Sequence, residues 1–120
     1  MAVCIRVVGT AESRRLNSRF RDRDRPTNVL SFPASRLERE LDGSLGDVVV
    51  CAAVVAGEAR SQARDPAAHW AHMVIHGILH LHGHDHHARS AAVRMERLEV
   101  EILRSFGYLN PYQPVMPAKT

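Results

Sequence analysis

The chain has 120 residues, 45% of them hydrophobic and 24% charged, with a formal net charge of +3 and an isoelectric point near 9.4. That length suits one domain with one core, and the composition is that of a globular protein, which sets aside disordered and fibrous classes. No apolar run approaches the ~20 residues of a bilayer span, and Met1 to Arg6 has no secretory pattern. No membrane partner is expected, the cytoplasm is the expected compartment, and Cys4 and Cys51 are expected to be buried small hydrophobes rather than a disulfide.

In chain order, Val3, Ile5 and Val7 alternate at strand period until Gly9-Thr10 breaks the run. Thr10 is expected to cap a helix over about 11–22, with Leu16 and Phe20 facing the core. Six arginines fall between Arg14 and Arg25 against two aspartates, Asp22 and Asp24, a local excess of positive charge that suits a polyanion such as RNA. Pro26 ends that region, Asn28 to Phe32 reads as a short strand, and the polar stretch from Ser35 to Ser44 reads as loop. Asp47 to Cys51 is a near-continuous apolar run, as in a strand covered on both faces, and a helix over about 52–64 is expected to follow.

Asp65-Pro66 is a helix start signal and Gly83 a matching stop. Beyond it, Ala91, Met95, Leu98, Ile102 and Phe106 mark the expected core face of a last helix ending at Gly107. The segment 110–120, with three prolines, is expected to be a loose tail behind a single domain over 1–109. Helices flanking a few strands give an α+β class, with a small mixed sheet packed against helices.

All eight histidines lie between His69 and His87. His76 and His80, four apart on a helix, project from one face and can chelate one ion. Gly83 permits a left-handed turn that brings His86 to the open side of that pair. Three imidazoles with a fourth position open is the donor set of a catalytic zinc site, and one Zn2+ is the expected cofactor. The ligand spacing is that of metzincin proteases, but the glutamate that serves them as base is replaced here by Gly77. His72 lies too far along the helix from His80 to share an ion with it, so His69 and His72 are expected to pack or hydrogen-bond in the interior. His82 is expected on another helix face, and Asp85 either orients a ligand or forms the turn.

The run from His76 to His86, together with Leu16-Asn17, Arg21, the segment from Pro26 to Pro33 and Leu45-Gly46-Asp47, closely resembles the YbeY family of endoribonucleases over about residues 3–108. The resemblance implies zinc on His76, His80 and His86, single-strand-specific cleavage of RNA, and work in small-subunit (16S) rRNA maturation and ribosome quality control, with small-subunit ribosomal proteins as further partners. It also singles out Arg21, among its arginine neighbours, as the catalytic residue. His84 stands where the family usually has tyrosine, which leaves the ligands intact. The resemblance further implies a strand and a helix upstream of Val3, without which a sheet edge and part of the core are expected to be open. Two other readings fit the same residues: an assembly factor in which zinc only stabilises the fold, and a zinc peptidase, which the lack of a base at Gly77 disfavours.

Overall fold

A computed structural model of the chain describes residues 2–84 and 88–112. Eight elements follow in order: β1 (Ala2–Val8), α1 (Thr10–Arg21), β2 (Val29–Pro33), α2 (Arg36–Asp42), β3 (Ser44–Cys51), α3 (Ala52–Ser61), α4 (Pro66–Leu81) and α5 (Arg89–Ser105). The α+β class read from the sequence is the one observed.

The sheet has the order β1-β3-β2, with β3 parallel to β1 and antiparallel to β2. Central β3 is covered on both faces, as its apolar run requires. Val48 and Val50 pack with Met73 and Leu81 of α4, while Val49 and Cys51 join Val8, Leu30 and Leu16 on the other side. Among the described residues strand β1 forms one edge of the sheet, and its Ile5 and Val7 are exposed.

Helix α4 is set by its ends. Asp65 caps it, its side chain accepting from the Ala68 amide at 3.1 Å, and Pro66 occupies the first position. At the other end Gly83 adopts φ +92°, so that the Gly83 amide reaches the His80 carbonyl and the His84 amide the Leu79 carbonyl. Among the described residues, no helix is long and apolar enough to cross a membrane.

Several local expectations give way. The stretch from Ser35 is helical: Ser35 accepts from the Glu38 amide and Gly43 closes the helix at φ +70°, so capping overrides the polar composition that suggested a loop. Thr10 is the first helical residue rather than the cap, which is Gly9. Helix α1 buries Ser13 and Asn17, while Phe20 lies largely exposed with its ring edge-on to Phe32. Phe106 is likewise exposed, because the buried stripe of α5 runs through Met95, Glu99 and Leu103. Cys51 is buried as expected, but Cys4 lies exposed on the edge strand. Residues 110–112, expected in the loose tail, are tied to the body: Arg64 donates to the Pro111 carbonyl and the Tyr112 hydroxyl reaches Glu99.

Candidate metal centre

The spacing of His69, His72, His76 and His80 lays four imidazoles along one stripe of α4. Nearest its C-terminal end, His76 Nε2 and His80 Nε2 approach to 3.1 Å, their ring centroids 4.6 Å apart. Two nitrogens bound tetrahedrally to one zinc at ordinary bond lengths stand about 3.3 Å apart, so the pair already has close to the separation that an ion needs. The third expected ligand, His86, lies outside the described residues, as do Asp85 and His87. His82 is exposed and His84 forms the turn, neither lining the cavity described below.

Behind the pair lies a carboxylate that sequence reasoning missed. Glu99 of α5 has no exposed surface, and its Oε1 lies 3.1 Å from His76 Nδ1. Its Oε2 meets His72 Nε2 and accepts from the Tyr112 hydroxyl at 2.6 Å. A signal was present: Glu99 falls four residues after Met95 and four before Leu103, in register with the buried stripe. His72, His76 and Glu99 offer ligand atoms that all lie within 4.8 Å of one another, close enough to hold a metal ion.

The protonation states follow from the partners. His72 Nδ1 is buried with no hydrogen-bond partner among the described residues. Burial of Glu99 favours its neutral form, yet hydrogen bonds from His72, His76 and Tyr112 together outweigh it and bring the carboxyl from its ordinary 4.5 down to about 2. Burial, together with the same carboxylate, pushes the Tyr112 phenol well above its usual range. His69 packs in the interior as expected, its Nε2 3.0 Å from Glu58 Oε1, and Asn28 bonds the same carboxylate.

In front of the pair a cavity of about 330 Å³ is lined by Asn17, Arg21, Arg23, Arg25, His76 and His80, among others. Arg21 closes α1 and is exposed, and the loop after it is held against the helix from below. Buried Asn17 donates to the Arg25 carbonyl at 2.8 Å, and buried Ser13 exchanges hydrogen bonds of 3.0 Å with the Thr27 backbone. At the surface Arg14 pairs with both oxygens of Asp24, which lowers the Asp24 carboxyl and raises the Arg14 guanidinium. Polar residues on the inner face of α1 thus turn a charge cluster into a wall that faces the histidines.

The profile of a family described as Endoribonuclease YbeY matches residues 1–107. An Alkalilimnicola ehrlichii protein named Endoribonuclease YbeY is 52% identical over 115 residues, covering 93% of this chain and 69% of the relative. A Methylococcus capsulatus protein of the same name is 50% identical over 115 residues, covering 96% of this chain and 77% of the relative. A Thermotoga maritima protein solved in solution superposes with a TM-score of 0.55 at 28% identity, covering 92% of this chain and 77% of its own. With a fold, a histidine stripe and a sequence match that agree over nearly the whole length, the chain belongs to the YbeY family of endoribonucleases.

Proposed function

We propose that the chain is a zinc-dependent, single-strand-specific endoribonuclease that matures 16S rRNA and serves ribosome quality control, with one Zn2+ held by His76, His80 and His86 and with Arg21 as the residue that meets the scissile phosphate. One observation carries this reading: the His76–His80 nitrogen pair, spaced for an ion, opens onto the cavity that Arg21 lines. The names of the relatives support the substrate class. In this reading residues 1–109 form one domain with one site, working in the cytoplasm on rRNA and among small-subunit proteins.

When bound, zinc supplies Lewis-acid chemistry, either lowering the pKa of water toward neutrality or polarising the phosphate. The chain itself supplies position and charge. The Arg21 guanidinium, at the mouth of the cavity, is suited to donate to non-bridging phosphate oxygens and to offset the charge that grows as phosphorus is attacked. Arg23 and Arg25 on the same wall add attraction for the flanking backbone. A peptidase would need a base beside the first histidine, and Gly77 offers none.

The test is metal analysis of the purified protein together with cleavage of labelled single-stranded RNA, with and without chelator and with casein as control. Zinc near one equivalent, chelator-sensitive RNA cleavage and intact casein are expected. RNA cleavage indifferent to chelator overturns the zinc dependence, and a folded, zinc-loaded protein that leaves RNA uncut points to the assembly-factor reading.

A further inference from the structure

We infer that Glu99, braced by His72 and Tyr112, is a positioning residue for the metal pair: it takes the Nδ1 proton of His76 in hydrogen bond and thereby turns the His76 Nε2 lone pair toward His80. This inference rests on the zinc reading of His76 and His80 and adds to it a device on the opposite side of the ring.

A neutral imidazole carries one proton on two nitrogens, and the partner of one nitrogen decides the state of the other. His76 Nδ1 stands 3.1 Å from a carboxylate oxygen, which accepts only. A proton on Nδ1 makes that contact a hydrogen bond, whereas a bare Nδ1 would set two lone pairs against each other beside a carboxylate with no solvent exposure. With the proton on Nδ1, Nε2 carries a lone pair, the form a metal requires. The 3.1 Å contact between His80 Nε2 and His76 Nε2 is compatible with this tautomer, His76 Nε2 then being the acceptor.

Glu99 cannot turn away from this duty. His72 Nε2 and the Tyr112 hydroxyl both hold Oε2, leaving Oε1 toward His76. Tyr112 comes from beyond α5 and is brought there by a segment that Arg64 fixes through the Pro111 carbonyl. His72 therefore serves the site although it is too far from His80 to share an ion with it.

The test begins with metal-free protein labelled with 15N at histidine. Long-range proton–nitrogen spectra are expected to show His76 as the Nδ1–H tautomer; an Nε2–H tautomer overturns the inference without any variant. In Glu99→Leu, which leaves His76 Nδ1 without that acceptor, the signature of that tautomer should be lost, and zinc affinity, read by competition with a chromophoric chelator, should fall roughly 10–100-fold. Tyr112→Phe, which keeps the carboxylate, should retain the tautomer and lose less than tenfold. Wild-type tautomer and affinity in Glu99→Leu would overturn the inference. Should Glu99→Leu fail to fold, the wild-type tautomer decides. The underlying zinc reading fails separately, if His80→Ala binds zinc as tightly as the wild type. Loss of zinc in His72→Ala with retention in His80→Ala would mean that Glu99 is itself a ligand, and that too overturns a positioning role.

Discussion

The two sides of the His76–His80 pair are built in opposite ways. Behind it, Glu99, His72 and the Tyr112 hydroxyl form a network around a carboxylate with no exposed surface. In front of it stand Arg21, Arg23 and Arg25, exposed side chains whose placement depends on backbone ties from Asn17 and Ser13 beneath them. The rear therefore couples the site to the stability of the fold, because a buried polar network missing one member leaves the others uncompensated. The front is coupled to stability only through its anchors, so its charges are free to serve a ligand.

Substitutions on the two sides test this contrast. Glu99→Ala should have the largest effect, a loss of about 4 kcal/mol in urea unfolding of the metal-free protein, since it strips partners from three groups at once. The same carboxylate should shape the acid limb of stability. Because folding lowers its pKa from 4.5 to about 2, its contribution is complete above the unfolded value and fades as pH falls between these two values. Glu99→Gln should flatten that limb, and an unchanged profile would break the contrast from the rear.

Arg21→Ala should lower RNA cleavage about a hundredfold while unfolding stays within about 0.5 kcal/mol of wild type. A large loss of stability there would mean that the wall is structural after all. Asn17→Ala should show a mixed phenotype, costing about 1.5 kcal/mol for its buried bond to the Arg25 carbonyl and weakening RNA binding as the loop loosens. Asp24→Asn should be smallest, with no measurable change in thermal midpoint, because its pair with Arg14 is exposed on both sides. A clear shift in that variant would show the surface pair, rather than Asn17, to be the anchor.

How much of this was legible beforehand also differs between the two sides. Helix α4 could be read end to end, because Asp65-Pro66 and Gly83 act through local backbone chemistry that needs no tertiary context. The central strand could be read from its run of valines, and the arginine cluster from its charge. That the cluster faces the histidines could not be read, since it depends on what Ser13 and Asn17 hold across 14 and 8 residues. The rear was hidden more completely. Glu99 sits among Glu96 and Glu101 on an amphipathic helix, where a glutamate suggests a solvated face, and Tyr112 belongs to a proline-bearing segment that suggests no fixed structure. Long-range partners decide such residues. Helix α2 was a different case, since its Ser35–Glu38 capping pair was present in the sequence but outweighed by polar composition.

Gly77 also bears on how α4 is seated. A Cβ there would come within 2.7 Å of Val48 Cγ1 and 3.2 Å of Ser31 Oγ and Val29 Cγ2, so the position points into the sheet, and the Ser31 hydroxyl already clasps the Gly77 carbonyl. A metzincin-like glutamate in its place would have to pry α4 away from β2 and β3 before its carboxylate approached the histidines. The seating of the helix against the sheet thus sets Gly77 apart from the position of the metzincin glutamate, although the histidine spacing is the same.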